Sequence, residues 1–185
     1  MSKALAPACQ DSTDEAQASD TGVTVGDGND GVGRERLLES PMKFIGFVHE
    51  RISPNCLEGR FTVNKNSAQV FGVLHGGVSA LIAESLASLG AHIASGFQRI
   101  AGVQLSINHL RAVPIGTEVF VTAKPSQLGR RLQVWDVTFS KVADSEKQTD
   151  KDNSIFAVSR VTLMTGLTGQ AKEYFEQELK LLARL

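Results

Sequence analysis

The chain has 185 residues, a formal net charge of -1 and 42% hydrophobic residues. This length and composition predict one domain with room for a substantial core. The near-zero charge gives no electrostatic reason to expect nucleic acid or an anionic membrane as a partner. No apolar run is expected to reach the roughly 20 residues that a membrane-spanning helix needs.

The composition changes twice along the chain. Residues 1–38 are rich in Asp, Ser, Thr, Gly, Glu and Gln and are predicted to form a disordered tail. Their acidic residues argue against an organelle transit peptide. Residues 39–169 are predicted to form the folded domain, and residues 170–185 a short amphipathic helix. Of the two cysteines, Cys9 lies in the tail, so Cys9 and Cys56 are both expected to be reduced thiols.

Within the folded domain, the hydrophobic pattern predicts two short strands, Phe44–Ile52 and Arg60–Val63, and then a helix over Gly77–Ser95. The helix is apolar on nearly all sides, so we expect most of its surface to be buried. Four further strands are predicted over Ala101–Leu110, Glu118–Ser126, Leu132–Lys141 and Ile155–Met164. One long helix and one antiparallel sheet predict an α+β fold in which the sheet wraps round the helix.

Glu84 is the unusual residue of the apolar helix. No Lys or Arg occurs anywhere in the predicted helix. A carboxylate in an apolar setting is costly unless it is paired or used, so Glu84 is predicted to be functional. Ser88 follows four residues later and therefore shares its helix face. Two alternatives stay open: Glu84 faces solvent, or Ser88 is only a small residue in a crowded helix.

Gly76 and Gly77 lie at the predicted start of the same helix. The first amides of a helix have no partner within it and point outward with the positive end of the helix dipole. Glycine also lets a substrate carbonyl approach the backbone closely. The pair therefore predicts a site that polarises a carbonyl group. The alternatives are that the glycines only permit tight packing, that His75 caps the helix and that Gln69 is a surface amide.

Gln69, His75-Gly76-Gly77 and Glu84, at this spacing and on a helix followed by four strands, resemble the hotdog-fold acyl-CoA thioesterases whose catalytic carboxylate lies on the central helix. Gly102–Arg111 resembles the third strand of that family, and Gly129–Leu132 the turn before its fifth. The likeness covers residues 41–169 and implies the hotdog fold, no cofactor and hydrolysis of an acyl-CoA. Within the family, the chain is most similar to plant and algal enzymes that hydrolyse 1,4-dihydroxy-2-naphthoyl-CoA in phylloquinone (vitamin K1) biosynthesis.

The resemblance also implies the role of each residue. Glu84 would activate a water as general base or attack the thioester itself, and Gly76 would stabilise the oxyanion. Ser88 and Gln69 would hold the water or the carbonyl, and His75 would fix the loop or contact the acyl group. The residues expected to bind substrate and CoA are Gly77, Val103, His109, Leu110, Arg111, Gly129, Arg130 and Arg131. A homodimer or homotetramer would share its sites, with Gln69, His75 and Gly76 from one subunit and Glu84 from the other.

Other functions stay open at this point. A non-catalytic acyl-CoA-binding hotdog module would use the same groove without turnover, and a hotdog dehydratase would need an Asp/His pair. The histidines fall on separate predicted elements and there is no Cys cluster, so no metal site is expected. His92 and His109 are expected in the core, with pairing to Glu84 or a place in the acyl pocket as the alternative. Arg130 and Arg131 are as well explained by a solvated turn.

The chain ends in Ala183-Arg184-Leu185, which is similar to the Ser-Lys-Leu signal that a peroxisomal import receptor reads at a free chain end. The expected location is therefore the peroxisome, or otherwise the cytosol. Leu179, Leu181 and Leu182 offer an alternative, because a packed terminal helix would make the tripeptide less available.

Overall fold

A computed structural model of the protein describes residues 40–142 and 155–167. These residues form two helices and six strands. In chain order they are α1 (Ser40–Phe44), β1 (Val48–Ser53), β2 (Cys56–Thr62), α2 (Gly76–Ala94), β3 (Ala101–His109), β4 (Glu118–Leu128), β5 (Leu132–Lys141) and β6 (Ile155–Met164). The predicted N-terminal tail, the C-terminal helix and the C-terminal tripeptide lie outside the described residues.

The six strands form one sheet in the order β1-β2-β4-β5-β6-β3, and every neighbouring pair is antiparallel. Strands β1 and β3 are therefore the two edges. The alternation predicted for β5 is present: Gln133, Trp135, Val137 and Phe139 are buried, whereas the residues between them are half-buried. The sheet thus turns one face to the core, as one helix on one sheet requires.

Helix α2 packs across the core face of the sheet and contacts all six strands. Ile82 and Leu86 are fully buried there, whereas Val78 and Leu89 are half-buried, so the helix is less enclosed than its sequence predicts. Gly90 allows the closest approach, because a Cβ at this position would lie 2.5 Å from two atoms of the Trp135 ring. The helix that carries Glu84 is therefore held tightly against β5.

The first strand is where the sequence prediction is wrong. Residues predicted as one strand from Phe44 divide into the end of α1 and the start of β1 at Val48. Gly46 separates the two with a positive φ of 76°, a conformation that glycine adopts without strain. The apolar pattern runs through both elements, so periodicity alone did not reveal the break.

Two further expectations need correction. Helix α2 has 19 residues and a mean hydropathy of 1.3, so by length and composition it could cross a membrane. Its buried face against the sheet instead identifies it as a core helix. Cys56 is buried and disulfide-bonded, so the expectation of a reduced thiol is wrong for this residue.

Candidate active site

The start of α2 is shaped by His75, which precedes it with an extended backbone (φ -73°, ψ 127°). Its ring nitrogen Nδ1 accepts a hydrogen bond of 2.9 Å from the amide of Gly77, and its carbonyl accepts one of 2.9 Å from the amide of Val78. His75 is thus the N-cap of the helix. The Gly77 amide has no partner within the helix, as predicted, but the His75 side chain occupies it.

Gly76 provides the amide that remains for a ligand. Across residues 40–142 and 155–167, no group accepts a hydrogen bond from its N–H. As the first residue of α2, Gly76 also lies at the positive end of the helix dipole. An oxygen that gains negative charge during a reaction would be stabilised here.

Glu84 lies two helical turns further along α2 and is half-buried. The Ser88 hydroxyl donates a hydrogen bond of 3.3 Å to Glu84 Oε1, which is the contact that their spacing predicts. The same carboxylate also lies against β3 at Gly102. Ser88 and Gly102 thus hold the carboxylate between the helix and the edge strand.

Gln69 lies in a tight loop that leads into the helix. Its side-chain Oε1 accepts a hydrogen bond of 2.9 Å from the amide of Phe71, so its amide nitrogen is the donor left for a substrate. Val70 and Phe71 are 94% and 85% exposed, which is unusual for side chains of this size. The loop therefore presents an apolar surface beside the predicted site.

A groove of about 390 Å³ lies beside the helix start. It is lined by Leu74, Gly76, Ser79, His109, Leu110, Arg111, Ala112, Val113 and Phe156. His109 is exposed, and its ring lies over Gly76, where a Cβ would come within 3.1 Å of His109 Cε1. The expected core position is therefore wrong for His109, which instead borders the groove beside Gly76. The groove also contains Leu110 and Arg111, two of the predicted substrate-binding residues.

The predicted arginine turn connects β4 and β5. Arg130 and Arg131 are both exposed, and the amide of Gly129 donates a hydrogen bond of 2.9 Å to the carbonyl of Leu132. Thr165, the residue after β6, bonds to the turn: its hydroxyl donates to the Arg130 carbonyl at 2.8 Å and its amide to the Arg131 carbonyl at 2.9 Å. The turn therefore has a fixed backbone and two accessible cations.

In a single chain, these residues form two separate groups. Gly76 and Glu84 are eight residues apart on α2, which corresponds to about 12 Å along the helix axis. Their contacts on β3, at His109 and Gly102, are seven residues apart, or about 23 Å of extended strand. Val103 is 55% exposed on the same edge strand. The Gly76 amide and the Glu84 carboxylate thus lie at different points along one helix and one strand.

The other two described histidines, His49 and His92, do not line this groove. His92 is buried, and burial lowers its pKa, although the bond between its Nδ1 and the Gln98 carbonyl (2.8 Å) acts in the opposite direction. Burial also lowers the pKa of His49 on β1. In the part of the chain that the structure describes, no three His, Cys, Asp or Glu side chains are arranged to hold a metal ion.

Known proteins have sequences and folds similar to those of this chain. The family model described as "Thioesterase superfamily" matches residues 71–146. A 1,4-dihydroxy-2-naphthoyl-CoA thioesterase of Arabidopsis thaliana is 48% identical over 134 residues, which cover 72% of this chain and 83% of the relative. The chain belongs to the thioesterase superfamily. The sequence-based prediction of a thioester hydrolase is thereby confirmed.

Two further relatives support the family and its fold. A 1,4-dihydroxy-2-naphthoyl-CoA hydrolase of Escherichia coli is 36% identical over 95 residues, 51% of this chain and 69% of the relative. The crystal structure of a thioesterase from Haemophilus influenzae matches with a TM-score of 0.62 and 29% identity, over 75% of this chain and 90% of that one. The predicted α+β hotdog fold is confirmed.

Proposed function

We propose that the protein hydrolyses an aromatic acyl-CoA, and that its substrate is 1,4-dihydroxy-2-naphthoyl-CoA, cleaved to 1,4-dihydroxy-2-naphthoate and CoA in phylloquinone biosynthesis. Two relatives named for this substrate, at 48% and 36% identity, support the choice of acyl group. The observation that carries the proposal is the Glu84 carboxylate, held by Ser88 on the central helix of a thioesterase fold.

The reaction needs a nucleophile and a means of holding the oxyanion. The Gly76 amide binds the carbonyl oxygen and stabilises the negative charge that forms when the carbonyl carbon is attacked. Glu84 either removes a proton from an attacking water, after which the C–S bond breaks and the acid is released, or attacks the carbonyl carbon itself. In the second case the C–S bond breaks to leave a mixed anhydride, which water hydrolyses to release the acid and Glu84. In both cases the CoA thiolate takes up a proton. No cofactor is required for this sequence of steps.

Two subunits of a homo-oligomer share each site in this proposal. The separation of Gly76 and Glu84 along α2 supports it, because one bound thioester must reach both groups. The surface of β3 supports it as well, since this edge strand has exposed residues and Val103 is 55% exposed. Pairing of β3 with its copy would bury this edge, as sheet edges generally require. Gly76, His75 and Gln69 then act on a substrate that Glu84 of the other subunit attacks.

The CoA moiety requires cations for its phosphates. Arg111 borders the groove beside Gly76, and Arg130 and Arg131 project from a turn with a fixed backbone. We assign CoA phosphate binding to these three side chains.

Hydrolysis is tested by following free thiol release from a panel of aromatic and aliphatic CoA esters. The parent protein should release CoA fastest from 1,4-dihydroxy-2-naphthoyl-CoA. Glu84→Ala should reduce the rate by about 100-fold or more, the range expected for loss of a general base or nucleophile. Glu118→Gln, which removes an exposed carboxylate on β4, is the matched control and should remain active. Full activity of Glu84→Ala would remove Glu84 from the mechanism. Tight binding of CoA esters without thiol release would identify a non-catalytic binding module.

The shared site has a separate test by subunit mixing. Gly76→Pro removes the amide donor at the first helical position, which suits the fixed φ of proline and follows an extended His75. The added ring atoms would press on the exposed His109 ring, which must shift slightly. Gly76→Pro and Glu84→Ala should each be inactive alone. If sites are shared within a dimer, random mixing should restore about a quarter of the parent activity, because half of the dimers contain one intact site. If each site lies within one chain, mixing restores nothing.

We further propose that Ala183-Arg184-Leu185 directs the protein to the peroxisome through the import receptor. A fluorescent fusion that leaves Leu185 as the free end should appear in puncta with a peroxisomal marker. Deletion of the three residues should disperse the signal. A diffuse signal in both fusions would contradict the proposal.

A further inference from the structure

The Glu84 carboxylate lies directly against the edge strand β3, and Gly102 is the residue at the point of contact. A Cβ built at Gly102 would overlap Glu84 Oε1 and would lie 3.1 Å from Cδ and 3.4 Å from Oε2. Folded proteins essentially never show Cβ contacts as short as the first of these. Any residue other than glycine at this position therefore forces the carboxylate or the strand to move.

The strand has little freedom to move away from the carboxylate. Gly102 pairs with Leu163 of β6, and Leu163 is fully buried in the core. The register of β3 against β6 shifts between Gly102 and Gln104, so an irregularity in the strand lies at the contact. Such irregularities redirect the backbone locally and occur often beside active sites. A side chain added at Gly102 would therefore displace Glu84 more readily than it would displace the strand.

The same oxygen of Glu84 meets both neighbours. Oε1 accepts the hydrogen bond from Ser88 and also faces the Gly102 backbone. A displaced carboxylate would lose the Ser88 bond together with its position. Catalytic groups must be held within about 0.5 Å of their productive geometry, so a shift of this kind has a large effect on rate.

We propose that Gly102 is a positioning residue for hydrolysis: the missing side chain leaves the space in which Ser88 and β3 fix the Glu84 carboxylate. The proposal rests on the catalytic role proposed for Glu84. It assigns Gly102 no contact with the reacting atoms.

Gly102→Ala tests the proposal, with hydrolysis followed as thiol release. The kcat should fall by about 10-fold or more, while KM changes by less than about 2-fold, because the methyl group acts on the carboxylate and not on substrate binding. Val48→Ile is the matched control. It adds one methyl group to an exposed position of the other edge strand, β1, and should change neither kcat nor the subunit assembly.

A double-mutant cycle separates this role from general damage to the strand. Glu84→Asp shortens the side chain by one methylene and withdraws the carboxylate from Gly102. In the Glu84→Asp background, Gly102→Ala should lower kcat by less than about 2-fold. If Gly102→Ala alone fails to fold, Glu84→Asp should restore folding, since it removes the overlapping group.

The proposal would be overturned if the two substitutions lowered kcat by independent factors that multiply in the double variant. It would also be overturned if the double variant failed to fold, or if Gly102→Ala alone kept the full kcat. These results differ from failure of the proposed function. If Glu84→Ala is active, Glu84 has no role in catalysis and the proposed function fails. If Glu84→Ala is inactive but Gly102→Ala is fully active, only the positioning role of Gly102 fails.

Discussion

Gly90→Ala tests how closely the helix that carries Glu84 packs on the sheet. The new Cβ would lie 2.5 Å from two ring atoms of Trp135 and 2.7 Å from Leu57 Cδ1. Carbon atoms prefer separations of about 3.5–4.0 Å, so the helix or the ring must move by about 1 Å. Trp135 is fully buried, and its indole N–H donates a hydrogen bond of 3.0 Å to Gln133. The ring therefore cannot move freely.

Two opposing effects set the size of the change. Alanine is favoured over glycine inside a helix by about 1 kcal/mol. Overpacking of a core typically costs about 1–3 kcal/mol. Because the methyl group meets both Trp135 and Leu57, we place the cost at the upper end. Gly90→Ala should therefore lower the free energy of unfolding by about 2 kcal/mol, which corresponds to a fall in Tm of about 8 °C for a domain of this size.

Thermal and urea unfolding followed by circular dichroism measure this change. Trp135→Phe withdraws the ring atoms that Gly90→Ala would meet, so the same substitution in that background should cost less than half as much. A neutral or stabilising Gly90→Ala would refute the close packing of α2 on β5. An equal cost with and without the Trp135 ring would refute the assignment of the clash to that ring.

Three further predictions concern the site and the histidines. His75→Ala removes the side chain that caps Gly77 and should lower the free energy of unfolding by about 1 kcal/mol in urea unfolding; His75→Asn, which can still cap, should recover most of it. Ser88→Ala removes the 3.3 Å bond to Glu84 and should lower kcat about fivefold in the thiol assay; an unchanged kcat would contradict its role. His92 has a lowered pKa because of burial, so it stabilises the fold above its unfolded pKa of about 6.5 and this contribution is lost as the pH falls below that value. His92→Asn should therefore lose less stability than the parent between about pH 7.5 and pH 5.5, and an equal loss would contradict the assignment.

The sequence predicted most of the fold because the element order and the patterning agree with it. The predicted bounds of β5 and β6 match the structure, since alternation and turn residues mark both ends of these strands. The first strand failed because Phe44 and Val48 belong to one apolar run that a glycine turn divides. Helical spacing was enough to pair Glu84 with Ser88, because residues four apart on a helix always share a face.

The remaining features of the site depend on tertiary structure. The first amides of a helix have no partner within it, so the sequence predicts that the amides of Gly76 and Gly77 are both available. In the structure the His75 ring accepts a hydrogen bond from the Gly77 amide, so only the Gly76 amide is left for a ligand. The contact between Gly102 and Glu84 joins residues on a helix and an edge strand, so no local pattern reports it. The sequence contains one indication of this contact: Gly102 lies within a strand, where glycine often marks the close approach of another group.

In the arginine turn, the atoms that hold the backbone conformation are different from the atoms that carry the positive charge. The bonds that fix it join main-chain atoms of Gly129, Arg130, Arg131 and Leu132 to one another or to Thr165, and none of these bonds uses a guanidinium group. Mutations at positions 130 and 131 can therefore alter the local electrostatic potential while the hairpin geometry persists. This independence makes the turn a natural location for evolutionary or engineered changes in ligand preference, since the central helix and its carboxylate need not be rebuilt.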